Sequence, residues 1–220
     1  YSAVISACAK AHEWEWALSL LREMIQRGIH PNVFSYSAAI TACEKGGQWQ
    51  WAVALLREMQ EACVEPNVIT YSAVISACAK CSQWQWVLHL WMEMKESGIQ
   101  PNEITYSVIV DMCEKCLLWE WALAFFTEMR QHNIEPNVTM YSSIMNACVN
   151  CQQWPWAFAL FGHMQQQSLE PSPDAYHAIL HACEQGAQWV HALHILHHMQ
   201  SRDADVDGCA CNIAANICNR

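Results

Sequence analysis

The segment VFSYSAAITACEKGGQWQWAVALLREMQEACVEPN, residues 33–67, decides the fold of this chain. Tyr36, Ala39, Ile40 and Cys43 fall at helical spacing and make one apolar stripe, which predicts a first helix. Gly46 and Gly47 interrupt it. Trp49, Ala52, Val53, Leu56 and Met59 make a second stripe, and Pro66 closes that helix because proline cannot continue one. The segment therefore reads as helix A, a short turn, helix B and a Pro-Asn loop, with no β-type alternation.

The same pattern returns every 35 residues. Tyr1, Tyr36, Tyr71, Tyr106, Tyr141 and Tyr176 keep that step, as do Cys8, Cys43, Cys78, Cys113, Cys148, Cys183 and Cys218. Trp14, Trp49, Trp84, Trp119, Trp154 and Trp189 keep it too, and so do Met24, Met59, Met94, Met129, Met164 and Met199. One hairpin cannot bury its apolar faces alone, whereas a stack of hairpins can, each touching only its neighbours. The expected fold is all-α, an α-α superhelix or solenoid of about six hairpins. Their expected bounds are 1–32, 33–67, 68–102, 103–137, 138–172 and 173–207, with a truncated start of a seventh at 208–220.

Composition narrows the function. More than half the residues are hydrophobic and 15% are charged, which excludes a disordered chain. No apolar run approaches the ~20 residues that span a bilayer, so no membrane partner is expected. Net charge is −10, the wrong sign for a nucleic-acid binder. The 13 cysteines, odd in number and mostly in helical register, suit free thiols in a reducing compartment better than a disulfide framework. The chain begins at Tyr1, already inside a repeat, as expected of a fragment whose targeting segment is elsewhere.

Several motifs carry a resemblance. Tyr71-Ser72-Ala73-Val74-Ile75-Ser76-Ala77-Cys78 resembles the first helix of the pentatricopeptide repeat family. Trp86-Val87-Leu88-His89-Leu90-Trp91-Met92-Glu93-Met94 resembles its second helix, and Gly98-Ile99-Gln100-Pro101-Asn102 its closing loop. The 35-residue step separates it from tetratricopeptide units, whose period is about 34. The tryptophan-rich Gly47-Gln48-Trp49-Gln50-Trp51-Ala52 is similar to algal versions.

The resemblance implies binding of single-stranded RNA, about one base per repeat, read by two or three side chains. It implies that the first base-reading residues are Ser2, Ser37, Ser72 and Ser107, then Ser142 and His177. The second are Asn32, Asn67, Asn102 and Asn137, then Ser172 and Asp207. Serine with asparagine implies adenine in the first four repeats. Base-sandwiching falls to Phe34, Ile69 and Ile104, followed by Thr139, Asp174 and Cys209. Phosphate contact falls to Lys10, Lys45, Lys80 and Lys115, four of only five lysines in the chain, with Asn150 and Gln185 replacing them later. On an ideal helix Ser37 and Lys45 lie within about a quarter-turn and ~12 Å along the axis, so one face can serve base and phosphate. Code, sandwich residue and lysine all decay after the fourth repeat, so RNA contact is expected in repeats one to four. The 5′ end would lie toward the N-terminus. Glu23, Glu58, Glu93 and Glu128 on helix B, with Glu65, Glu135 and Glu170 in the loops, are expected to face away from the RNA.

Other motifs have plainer readings. Ser near a helix start and Asn after proline are also ordinary capping and turn residues. Cys78/Cys81, Cys113/Cys116 and Cys148/Cys151 each form C-x-x-C, but hairpins stacked at about 8–10 Å do not suit Zn–S bonds of about 2.3 Å. His177/His181 and His194/His198 have i,i+4 spacing without an arranged carboxylate. Trp16, Trp51, Trp86, Trp121 and Trp156 read as packing between repeats or as a ladder that docks a protein partner. No nucleophile–base constellation, phosphate loop or acidic nuclease cluster is present. The expectation is a monomeric, non-enzymatic module without cofactor or metal that binds A-rich single-stranded RNA. It would act in RNA processing, stability or expression in an organelle, the chloroplast rather than the mitochondrion, with RNA-processing proteins as further partners. The competing expectation is a protein-interaction scaffold.

Overall fold

A computed structural model describes residues 1–201. The expected seventh-repeat start at 208–220, with Asp207 and Cys209, lies outside the described residues. Among those described there are twelve α-helices and no strand. They are α1 (Ser2–Lys10), α2 (Trp14–Gln26), α3 (Val33–Lys45), α4 (Trp49–Glu61), α5 (Val68–Lys80) and α6 (Trp84–Glu96), then α7 (Glu103–Lys115), α8 (Trp119–Gln131), α9 (Val138–Asn150), α10 (Trp154–Gln166), α11 (Pro173–Gln185) and α12 (Trp189–Ser201). The chain divides into two compact units, Tyr1–Met112 and Cys113–Arg220.

In the first unit α1 packs on α2, α3 on α4 and α5 on α6. The A helices also pack on one another, α1 on α3 and α3 on α5, while α2 and α4 pack on the A helix that follows each. In the second unit α9 packs on α8, α10 and α11, and α11 packs on α10 and α12. The stripes legible in the sequence are the core: Tyr36, Ala39, Ile40, Cys43, Ala52, Leu56 and Met59 are all buried. Burial pushes the thiols of Cys43, Cys78, Cys113, Cys148 and Cys183 up to about 12, so they behave as small apolar residues.

The helix A stop is a backbone conformation more than a glycine. Gly47 has φ +66°, and Gln48 N–H donates to Cys43 O at 2.9 Å, closing the helix end. The same left-handed step recurs at His12, Ser82, Leu117, Gln152 and Ala187, none of them glycine. Helix B ends likewise at Gly28, Cys63, Gly98, Asn133 and Ser168.

Tyrosines tie helix A to helix B at the other side of the hairpin. Tyr1, Tyr36 and Tyr71 donate to Glu23, Glu58 and Glu93 at 3.2, 3.3 and 3.2 Å. In the second unit histidine replaces glutamate, and Tyr141 and Tyr176 meet His163 and His198 Nδ1 at 2.6 and 2.9 Å.

Candidate nucleic-acid interface

Helix A begins with a side-chain cap. Asn32, Asn67 and Asn102 Oδ1 accept the backbone N–H of Ser35, Thr70 and Thr105 at 3.0, 3.0 and 2.9 Å. Such a cap contributes about 1 kcal/mol. Each Oδ1 accepts a second time, from the hydroxyl of the same residue, at 3.0, 3.0 and 2.9 Å. Those hydroxyls in turn meet Ser2, Ser37 and Ser72 Oγ, at 2.8, 2.8 and 2.7 Å. The residues expected to read a base in each of the first three repeats, Ser2 with Asn32, Ser37 with Asn67 and Ser72 with Asn102, are thereby joined through one buried hydroxyl. Ser35, Thr70 and Thr105 are each fully buried. The serines are half-buried, and Asn32 is exposed.

The sequence reading missed these linking residues. The signal was available, since a hydroxyl recurs at 35, 70 and 105 and then gives way to Met140 and Ala175. In the second unit Asn137 caps α9 through Met140 N–H at 2.9 Å. Ser142 and Ser172 meet directly at 2.9 Å, and Ser172 caps α11 through Ala175 N–H at 3.2 Å. Ser107 lies half-buried on α7.

Phe34, Ile69 and Ile104 stand at the start of helix A and are 76%, 62% and 66% exposed. Large apolar side chains left this open, one per hairpin and beside each asparagine, suit stacking on a base face. Thr139 and Asp174 occupy the same place, also exposed.

Lys10, Lys45, Lys80 and Lys115 end α1, α3, α5 and α7, all exposed. Lys10 and Lys45 make no ion pair among the described residues. Lys80 is held differently: its Nζ lies 2.9 Å from Glu44 Oε1, which also accepts from Ser76 Oγ at 2.7 Å. Asn146 reaches Glu114 in the same way, at 3.0 Å. Glu44 and Glu114 thus put acid into the lysine row, apart from the helix B glutamates. Among those, Glu93 is the most engaged. It takes a bidentate Arg57 at 2.8 and 2.9 Å and Gln60 at 2.7 Å. Burial works against the Glu93 carboxylate, but its bonds from Arg57, Gln60 and Tyr71 hold it below the usual range.

The other motifs resolve locally. Cys81 and Cys151 Sγ point to the turn carbonyls of Gly47 and Leu117, at 3.5 and 3.3 Å. Among the described residues no three His, Cys, Asp or Glu side chains gather to hold a metal. Of the two readings of Trp16, Trp51, Trp86, Trp121 and Trp156, packing between hairpins is seen for Trp51 and Trp86. Trp86 packs on Trp49 of the preceding hairpin with ring centroids 6.1 Å apart, and Arg22 lies over Trp51 at 5.2 Å. All five keep 36% to 63% of their surface.

Three comparisons bear on this arrangement. A pentatricopeptide repeat domain profile matches residues 19–81 and 124–185, and related repeat profiles match 66–115, 1–29 and 104–134. Among solved structures, the pentatricopeptide repeat protein PPR10 in complex with an 18-nt psaJ RNA element superposes with a TM-score of 0.77 at 25% identity over 98% of this chain. PPR10 from maize in a further crystal structure gives 0.67 at 25% identity over 97%. This chain spans about a third of PPR10, 31–32%. The PPR domain of Arabidopsis thaliana protein-only RNase P 1, in complex with tRNA, gives 0.74 at 16% identity, covering 82% of this chain and 95% of that one, a likeness of fold alone. No curated protein matches the chain in sequence.

Proposed function

The chain belongs to the pentatricopeptide repeat family, and from that premise we propose that it binds single-stranded RNA along the starts of its A helices. One observation carries the reading: serine, asparagine and an exposed apolar residue recur together at the start of each of α3, α5 and their successor hairpin, with a lysine closing the same helix. Hydroxyl and amide suit a base edge, Phe34, Ile69 and Ile104 a base face, and the lysines a phosphate. Repeats one to four favour adenine. The module acts sterically on a transcript, without chemistry of its own, in organellar RNA processing, stability or expression, the chloroplast being the favoured compartment.

The test is the salt dependence of binding. For single strands the slope of log K against log salt falls by about 0.7 for each phosphate that the protein ceases to neutralise. Lys45→Ala should reduce the slope by about that amount. A slope unchanged in Lys45→Ala, Lys10→Ala and Lys80→Ala together would remove the lysine row from the interface.

The exposed tryptophans support a second reading, docking of a protein on helix B. In the second unit Trp119, Leu123, Trp156 and Ala159 line an apolar groove of about 530 Å³. This reading predicts that Trp156→Ala abolishes partner capture and leaves RNA binding intact.

A further inference from the structure

The hydroxyls that join the base-reading pairs have a direction. Asn67 Oδ1 has no proton, and it accepts from both Thr70 N–H and Thr70 Oγ1. Two donors on one carbonyl oxygen fix the amide orientation and fill its lone pairs, so the group left to face a ligand is the Nδ2 amine, a donor. Thr70 has a single hydroxyl proton, and Asn67 holds it. The 2.8 Å contact between Ser37 Oγ and Thr70 Oγ1 must then use the proton of Ser37. Ser37, its proton committed, can only accept from a ligand.

The same count holds on either side. Ser35 gives its proton to Asn32, so Ser2 must give its own to Ser35. Thr105 gives its proton to Asn102; Ser72 has two acceptors for its one proton, Thr105 Oγ1 at 2.7 Å and Val68 O at 2.7 Å. In either case Ser72 is left as an acceptor. Three successive hairpins thus present one acceptor, the serine, beside one donor, the asparagine amine.

We propose that Ser35, Thr70 and Thr105 are specificity-determining residues that set this acceptor–donor polarity and so select amino-bearing bases against keto bases. The proposal rests on the reading that the serine–asparagine pairs meet RNA bases. Adenine shows an amino donor beside a ring-nitrogen acceptor, and cytosine does the same. Guanine and uracil show a carbonyl acceptor beside an N–H donor, which sets acceptor against acceptor and donor against donor. The linking residues touch no base; they act through the serine and the asparagine. At the corresponding position after repeat three the chain has Met140, which has no hydroxyl proton to commit.

Inosine gives the cleanest probe, because it replaces the adenine amino group by a carbonyl and reverses the edge polarity at unchanged ring size. The whole 220-residue chain would be titrated with A-rich RNA oligonucleotides, and with the same oligonucleotides carrying single inosines. Each inosine opposite the first three repeats should weaken wild-type binding roughly fivefold or more. In the Ser35→Ala/Thr70→Val/Thr105→Val variant the penalty should fall below about twofold, with binding of the all-adenine RNA changed much less. Thr70→Ser/Thr105→Ser, which keeps both hydroxyls, should restore it. Circular dichroism melting establishes that each variant is folded; if the triple variant is not, Thr70→Val alone with the inosine moved base by base gives the same readout at one position. An undiminished inosine penalty in a folded valine variant would overturn the polarity role and leave RNA reading in place. Equal wild-type binding of adenosine and inosine would also overturn it. No wild-type binding to any RNA would remove the underlying reading, and the polarity role with it.

Discussion

Gly47 and Ala187 occupy equivalent positions in the turn between helices A and B, with φ +66° and +51°, and both are exposed. The left-handed region costs an L-residue about 1–2 kcal/mol and a glycine almost nothing. Gly47→Ala should therefore destabilise the protein by about 1 kcal/mol, and Ala187→Gly should stabilise it by up to ~1 kcal/mol. Urea unfolding followed by circular dichroism reads both. The turn was legible from Gly46-Gly47, but the conformation was not legible where His12, Ser82, Leu117 or Gln152 adopts it. There the helix closes by the same backbone bond as at Gly47, from Glu13, Gln83, Leu118 and Gln153 N–H to Cys8, Cys78, Cys113 and Cys148 O, which holds an exposed non-glycine residue in the left-handed region. The linking hydroxyls were hidden for a different reason. Ser35, Thr70 and Thr105 look like ordinary first-turn residues in sequence, and only the neighbouring helix brings a second serine to within 2.7–2.8 Å of them.

Between elements, the bonds that Glu93 takes from Arg57, Gln60 and Tyr71 give the fold an acid response. Glu93 is held below its ordinary 4.5, so its contribution is complete above that value. It is lost as pH falls through the lowered folded value, because the unfolded chain takes up the proton first. Glu93→Gln should flatten the acid limb of a stability–pH curve. The His163 pair responds in a different window. Burial, with Arg130 nearby, lowers His163 from its ordinary 6.5, so its neutral form stabilises the fold above that value and the gain is lost as pH falls below it. His163→Gln keeps an acceptor for Tyr141 and should remove that decline. Glu44 tests the lysine row. The Lys80–Glu44 pair is partly solvated and contributes at most about 1 kcal/mol, yet it occupies the ammonium that a phosphate would need. Glu44→Gln keeps an acceptor for Ser76 and should tighten RNA binding by up to roughly fivefold at low salt, measured by anisotropy.

For the molecule as a whole, the repeat made the fold legible. A fixed 35-residue step alone assigns Tyr36, Cys43, Trp49 and Met59 to the right helices, because each hairpin is stable only against its neighbours. The net charge of −10 looked adverse to RNA, and part of the acid is paired locally: Glu23 with Arg27 at 2.6 Å and Glu93 with Arg57 at 2.8 Å. Glu44 shows the limit of that account, since it meets Lys80 directly. What spacing alone left open was whether serine and asparagine are caps or readers. The structure shows asparagine as a cap, its carbonyl taken by Thr70 N–H and Thr70 Oγ1, and reading through its amine is the proposed role. The most direct test of RNA reading is fluorescence anisotropy with A-rich, U-rich, C-rich and G-rich single-stranded RNA at low salt, alongside Lys45→Ala/Lys80→Ala. The account predicts tightest binding to A-rich RNA, weakened in the lysine variant. Equal binding to all four, or binding to none, would contradict it.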